Sequence, residues 1–544
     1  MSPICILNSR TDTSPIRSCV MHQSVLLDRL LEHPEILGVK QLQLIETHSS
    51  FVLLGDDSFA FKIKKEVNLG FLDYSSLSKR KQACLRELEF NSRFCSSIYL
   101  GVIALGTRGD QVVLEEDLES DACSEFAVKM NQFDRELEFS RLLEQGRLTL
   151  EHLQSLAVKV ASSHSKLPRE FGRDQVVLEA MRDNIKTLEK LLFESHVMDS
   201  DSGREIMEQV SFVWAWFQDK FDSLAQFFVE RKQGGFIRQC HGDLHLGNCT
   251  LYRNEVEMFD CIEFNEDFIH IDVIQDVSFM IMDLEVNRKP DLAIEFLNTY
   301  LQYSGDYEGL RALNLYCTYK AFIRAKVHGI TILNSPHCDP KENLEHMKSY
   351  ISLASKFISR DPSFIALMHG PSGSGKSFVA KKLSRASESI HVIADVERKR
   401  LFGIGPLDSS RALSEDIYSK EASERTYARL GEVAKTSVES GFSAICDATF
   451  LQRRTRRLLA SVALSLEVPC VIVECTASRP RLLERIQSRT GDPSEATEKV
   501  LEMQLESMSL DDHCLDEEEL ARVISIDTET EYDISLIVER MRKA

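Results

Sequence analysis

Phe364-Ile-Ala-Leu-Met-His-Gly370-Pro-Ser-Gly-Ser-Gly-Lys376-Ser377-Phe378 decides the architecture of the second half of the chain. The apolar run Phe364 to Met368 reads as a buried strand, and Phe378 to Ser384 as the start of a helix. Between them the sequence fits G-x-x-x-x-G-K-S. Small residues there let backbone N–H groups wrap phosphates, and the helix N-terminus adds a positive dipole. In such a cradle the lysine, Lys376, reaches the β- and γ-phosphates, while the hydroxyl of Ser377 ligates Mg2+. Gly370, Pro371, Ser372, Gly373, Ser374, Gly375, Lys376 and Ser377 are therefore the candidate nucleotide contacts.

Downstream, His391-Val-Ile-Ala-Asp395 and Ser443-Ala-Ile-Cys-Asp447-Ala-Thr449 read as two more strands, each ending in a carboxylate. Ligands sit at strand C-termini in open α/β sheets, so both side chains are expected to face the phosphate loop. One suits the acceptor hydroxyl, for which Asp395 is the candidate. The other suits Mg2+ or its water, for which Asp447 is the candidate. Each also has the plainer reading of an N-cap. Arg481, Arg485 and Arg489 lie four residues apart on a helix opened by Pro480, a stripe suited either to clamping phosphoryl oxygens or to plain solvation. Arg485 and Arg489 are the catalytic candidates, while Arg453, Arg454, Arg456 and Arg457 read as surface. Over about 362–505 this half resembles the small P-loop kinases, the AAA/zeta-toxin/gluconate-kinase-like group. The resemblance implies an α/β domain with a mostly parallel sheet, ATP as donor and a lid over it.

In the first half, His241-Gly-Asp243-Leu-His245-Leu-Gly-Asn248 is the informative segment, with Asp260 a dozen residues on. An Asp and an Asn five apart on a loop, then a further Asp, is the spacing of a kinase catalytic loop and its metal-binding Asp. Asp243 would orient the acceptor hydroxyl, and Asn248 and Asp260 would hold Mg2+. The His-Gly-Asp form resembles the aminoglycoside phosphotransferase/choline kinase-like family, over roughly residues 40–330.

That resemblance implies an α+β bilobal protein-kinase-like domain and assigns further positions. Phe59-Ala-Phe61-Lys62-Ile63-Lys64 looks like the strand of the ATP-phosphate lysine, Lys62, with Lys64 the alternative on the same face. Glu87 looks like its acidic partner, with Glu89 the alternative. Ala127-Val-Lys129-Met130 is similar to the strand that meets adenine. No Gly-x-Gly-x-x-Gly precedes Lys62; the equivalent turn is His48-Ser49-Ser50 or Gly55-Asp56-Asp57. Asp272, Asp276, His164 and His241 read as local hydrogen-bonding anchors. Glu263 is either an outer contact of the site or structural. Lys320 and Arg324 share a helix face, as an anion grip or a solvated surface. Trp214 and Trp216 read as core.

Composition sets the bounds. At 544 residues, 43% hydrophobic and 28% charged, the chain has material for two or three folded domains, which excludes a mostly disordered or fibrous protein. Net charge is −20, from 65 Lys+Arg against 85 Asp+Glu, and neither half is basic. That argues against nucleic acid or an anionic membrane as partner. No apolar run approaches the ~20 residues of a membrane helix. The 14 cysteines show no Cys-x-x-Cys pair, so reduced thiols and a cytoplasmic location are expected.

The expected organisation is a flexible leader over 1–21, a kinase-like domain over 22–335, a helical connector over 336–361 and a P-loop kinase domain over 362–544. The whole resembles bacterial two-domain proteins built from these halves. It implies a phosphotransferase using ATP and Mg2+, with two modules and small-molecule hydroxyl acceptors. One alternative is a single working kinase beside a nucleotide-sensing pseudokinase. The other is an NTP-binding regulatory or toxin–antitoxin-like protein.

Overall fold

Alternating apolar residues in Ser50–Leu54 and Phe59–Lys64, separated by a Gly-Asp-Asp-Ser turn, dictate a hairpin, and the chain forms it. In this computed structural model the described residues are 22–56, 58–68, 72–109, 111–169, 176–194, 201–334, 340–360, 364–412, 415–488, 493–508 and 514–543. The expected leader, the expected boundary at residues 361 and 362, and Arg489 lie outside them. Two compact units result. One runs to Asp134 and takes in Phe259–Asn265; the other comprises Arg135–Met258 and everything from Glu266.

The first unit opens with α1 (Gln23–Glu32) and is built on an antiparallel sheet. Its strands are β1 (Gln43–Glu46), β2 (Ser50–Leu54), β3 (Phe59–Lys64), β4 (Tyr99–Arg108), β5 (Gln111–Glu115) and β6 (Cys123–Asn131), in the order β1-β2-β3-β6-β4-β5. Helix α2 (Leu77–Cys95), capped by the Ser76 hydroxyl, packs against β6 and β4. Leu26, Leu30, Leu53, Phe61, Ile63, Leu105 and Ala127 form a core on the sheet. The turn joining β1 to β2 contains His48-Ser49, while Gly55 serves the next turn along.

The second unit begins with helices α3 (Phe139–Glu144), α4 (Leu150–Lys166), α5 (Val176–Glu194), α6 (Asp201–Ser223) and α7 (Ala225–Gln233). Short strands β7 (Ile237–Gln239), β8 (Cys249–Tyr252) and β9 (Glu255–Met258) follow, then α8 (Glu266–Ile269) and β10 (His270–Asp272). Here β7 pairs with β10 and β8 with β9. Long helices α9 (Val273–Val286), α10 (Pro290–Ser304), α11 (Leu310–Asn334) and α12 (Pro340–Ile358) complete this part. Trp214 and Trp216 are half-buried rather than core: on α6 it is Val213 and Phe217, one turn apart, that fill the interior.

The remaining elements alternate. They are β11 (Ile365–His369), α13 (Lys376–Ser387), β12 (Ile390–Ile393), α14 (Ala394–Leu401), α15 (Lys420–Glu439), β13 (Ala444–Asp447), α16 (Arg453–Ser465), β14 (Cys470–Thr476), α17 (Arg479–Gln487), α18 (Glu498–Ser507), α19 (Glu517–Leu520), β15 (Val523–Asp527) and α20 (Ile534–Lys543). All five strands are parallel, in the order β12-β13-β11-β14-β15. Every residue of β11 is buried, as a central parallel strand covered on both faces requires. Ala366 and Met368 pack with Val379, Leu383, Val538 and Met541. Within this unit α10 lies against α13 and β12, and α11 against α15.

Among the described residues no helix is long and apolar enough to cross a membrane. The described cysteines are free thiols, most of them buried.

Candidate functional site

The turn from β11 into α13 needs backbone that only glycine supplies easily. Gly370, Gly373 and Gly375 have φ of 133°, 83° and 87°. A Cβ on Gly370 would meet the Cys475 carbonyl oxygen at 2.4 Å, and one on Gly373 the Leu482 oxygen at 2.7 Å. The loop is braced from the β15 side. Arg485 Nη1 donates to Gly373 O (3.2 Å) and to Thr528 Oγ1 (2.8 Å), and Thr528 Oγ1 donates to Ser374 O (2.9 Å). Arg485 thus holds the loop as well as lining the cavity beside it. Arg481 is instead an exposed partner of Glu484.

Lys376 opens α13, and its ammonium donates to Pro371 O at 2.7 Å. Ser377 follows and hydrogen-bonds Asp447, the last residue of β13. Burial alone would raise the Asp447 carboxyl; hydrogen bonds from His391 and Ser377 and the charge of Lys376 hold it below its ordinary value. The Ser374 hydroxyl is buried without a protein partner. A buried hydroxyl, a cationic lysine and a hydroxyl–carboxylate pair form a donor set suited to phosphate and a hard divalent ion, so the residues fit Mg·nucleotide.

A cavity of about 1060 Å3 opens here, lined by Lys376, Ser377, Asp395, Asp447, Thr449 and Arg485, with Thr299, Gln302 and Tyr303 of α10 also on its wall. Asp395 stands in the first turn of α14, not at a strand end, 3.7 Å from Arg398 Nε. Sequence spacing missed several residues at this site. Ser372 N donates to Gln504 Oε1 of α18 at 2.8 Å, and His391 Nε2 lies 3.2 Å from Asp447 Oδ2. Arg456, expected at the surface, is buried: it pairs with Glu519 at 2.7 Å and donates to the carbonyls of Phe450, Leu451 and Cys514. Its neighbours Arg454 and Arg457 are exposed, as expected.

The His241–Asn248 loop, in the same unit, is held from beneath by α9. Asp276 accepts from Gly242 N (2.8 Å), His241 N (3.1 Å) and His164 Nε2 (3.1 Å), and Asp283 accepts from Leu246 N (3.0 Å). Asn248 Nδ2 donates to Asp243 Oδ2 at 3.1 Å, and His245 Nε2 approaches the same oxygen at 3.4 Å. Burial pushes the Asp243 carboxyl up, but the His245 hydrogen bond and the charges of His245 and Lys320 win and hold it well below the usual carboxylate range. Lys320 is buried and donates to Gly242 O at 3.0 Å, so it supports the loop instead of presenting a surface charge. Asp272 forms a separate buried pair with Arg231 at 2.6 Å. His164, Cys240 and Asp276 are the one cluster of metal-capable side chains among the described residues. Each already has a hydrogen-bond partner, Tyr300 for His164 Nδ1 and Ile271 O for Cys240.

In the other unit Lys62 pairs with Glu87 Oε1 (2.8 Å) and Asp260 Oδ1 (2.6 Å). Lys64 pairs with Glu87 Oε2 (2.5 Å) and Glu263 Oε1 (2.8 Å), and the Tyr74 hydroxyl donates to Glu263 at 3.2 Å. Two lysines therefore share one glutamate. Burial disfavours the Lys62 charge, yet Asp260 and Glu87 hold its ammonium well above the ordinary value. Glu89, the alternative partner, is exposed and pairs with Arg93. Asp260 has φ +58°, uncommon outside glycine, and its N–H donates to Tyr99 Oη at 3.2 Å.

Residues 365–510 match the family model described as an AAA domain. An uncharacterized protein of Mycobacterium tuberculosis (strain H37Rv) is 27% identical over 462 residues, covering 84% of this chain and 88% of its own. One of Mycobacterium bovis matches to the same extent. Among solved structures, a gluconokinase from Sinorhizobium meliloti is 22% identical, covering 34% of this chain and 92% of its own, with TM-score 0.24. A choline kinase from Cryptosporidium parvum is 12% identical over 62% of this chain and 96% of its own, with TM-score 0.40. An aminoglycoside 2'-phosphotransferase-IIIa is 13% identical over 61% and 99%, with TM-score 0.36. In fold, the chain joins an α+β region built on an antiparallel sheet to an α/β domain with a parallel sheet, and the AAA match lies on the latter.

Proposed function

We propose that the chain is an ATP- and Mg2+-dependent phosphotransferase with two kinase-type modules, each passing the γ-phosphoryl group to a hydroxyl of a small metabolite. The observation that carries this reading is the braced loop Gly370–Ser377 opening into a cavity that also holds Asp395 and Asp447. Backbone N–H groups of the loop bind phosphate oxygens, and Lys376 exchanges Pro371 O for the β- and γ-phosphates. Ser377 and Asp447 would hold Mg2+, whose charge offsets that of the phosphates. Asp395 accepts the proton of the attacking hydroxyl, and Arg485 steadies the loop and the transferring group.

In the first module Lys62, held by Glu87, contacts the nucleotide phosphates. On their sequence spacing, Asn248 and Asp260 would be its metal ligands, and Asp243 would orient the acceptor. The glycine-free turn between β1 and β2 favours a second reading of this module as a nucleotide sensor beside one working kinase. The acidic composition supports a small-molecule acceptor over nucleic acid.

The test is transfer of label from γ-labelled ATP to a metabolite extract. Wild type is expected to label a small molecule, Lys376→Ala and Asp243→Ala each to lose part of that labelling, and the double variant to lose all of it. No labelled product from wild type, or equal product from the double variant, would sink the reading.

A further inference from the structure

His391, the second residue of β12, belongs to none of the loops read from the sequence as functional. It is 4% exposed, and its Nε2 lies 3.2 Å from Asp447 Oδ2. A carboxylate only accepts, so this ring nitrogen donates. The backbone of His391 is held on both sides by α10. Its N–H donates to Asn298 Oδ1 at 2.9 Å, and its carbonyl accepts from Gln302 Nε2 at 3.4 Å. Asn298, itself buried, spends its amide hydrogens on Ser384 Oγ (2.9 Å) and Ser389 O (3.0 Å). Arg400 of α14 donates to the Gln302 carbonyl, tying the same turn of α10 to the helix that carries Asp395.

We propose that His391 is the positioning residue that aims the Asp447 carboxylate at the divalent ion of the P-loop site, and that α10 holds His391 in place through Asn298 and Gln302. The inference rests on the reading of Gly370–Ser377, Asp447 included, as an Mg·ATP site. A carboxylate with one oxygen fixed by a donor cannot turn about its terminal torsion without breaking that bond, so its other oxygen keeps one direction. Removing such an outer partner typically costs about 10–100-fold in metal affinity. A helix that precedes the P-loop by about 70 residues in sequence thereby becomes part of the metal site.

The experiment is calorimetry of ATP binding to the full-length chain across a Mg2+ series and in EDTA, in a Lys62→Ala background so that one site is read. His391→Ala is expected to raise the Mg2+ midpoint by about tenfold or more, with affinity for metal-free ATP little changed. His391→Phe, which keeps the bulk and lacks the donor, is expected to match it. His391→Gln, which restores an N–H, is expected to return most of the loss, and Asn298→Ala to give an intermediate shift. An unchanged midpoint in both His391→Ala and His391→Phe overturns the inference alone, as does an equal loss with and without Mg2+. A parent that binds no ATP overturns the P-loop reading and this inference with it.

Discussion

Lys376 and Arg456 show how differently two buried cations serve one domain. The Lys376 ammonium donates to the Pro371 carbonyl, a partner that phosphate oxygens can replace. Lys376→Ala is accordingly expected to abolish nucleotide binding at the P-loop while leaving the fold intact, and calorimetry should then count one site fewer than in wild type. Arg456 is committed to Glu519 and three carbonyls. Arg456→Leu takes the buried guanidinium away from the Glu519 carboxylate and from three carbonyls, so a loss of about 3–5 kcal/mol is expected, read from the urea midpoint. A loss below 1 kcal/mol would show that water takes over those partners. At Gly373 the constraint is spatial. Gly373→Ala drives a methyl into the Leu482 carbonyl and should weaken ATP binding at least tenfold, because the phosphate-binding backbone has to shift.

At the scale of elements, β3 and α2 are locked by the lysines and the glutamate they share. Burial raises the Glu87 carboxyl, but Lys62 and Lys64 lower it more, so its folded value lies below the ordinary one. A depressed carboxyl contributes stability that is fully present above the unfolded value, about 4.3, and lost as pH falls through the folded one. The urea midpoint of wild type should therefore fall as pH drops below about 4. Glu87→Gln should begin less stable at pH 7 and show a shallower fall. Parallel curves would remove Glu87 as the source.

The elements also show what sequence spacing conveys. The β11–loop–α13 unit is legible because its positive-φ glycines, Lys376 and Ser377 follow one another within eight residues of sequence. His391 meets Asp447 across 56 positions, and Thr528 meets Ser374 across 154. No local pattern records such pairings. Arg456 sits in Arg-Arg-Thr-Arg-Arg, where density of charge suggests solvent; the partner that buries it is 63 residues away. Lys62 and Lys64 could not be separated by period-two alternation, because both in fact reach Glu87. Asp243 and Asn248 were legible from their spacing of five, and the hydrogen bond between them follows from it.

At the scale of the whole molecule, the P-loop sheet and helices α9 to α12 share one compact unit. Besides α10, Asn314 of α11 donates to Ser440 O at 3.2 Å, and Thr436 Oγ1 of α15 donates to Glu308 at 2.8 Å. These ties predict that α10 and β12 lose hydrogen-exchange protection in the same opening event, and that Mg·ATP slows exchange in both. Protection gained in β12 with none in α10 would show that the two parts open independently.

The pairing of Asn298 with His391 also bears on inheritance. A recombination joint near residue 360 looks harmless in sequence, because it separates two recognisable halves. It would nevertheless split an amide from the backbone it was selected with, while a joint before Pro290 would carry both together. That earlier joint would in turn part Lys320 from Gly242 and Tyr300 from His164, so chimaeras made at either position with a homologous chain should give less folded protein than either parent. Descent, on this view, works on the P-loop domain and the helices before it as one heritable piece.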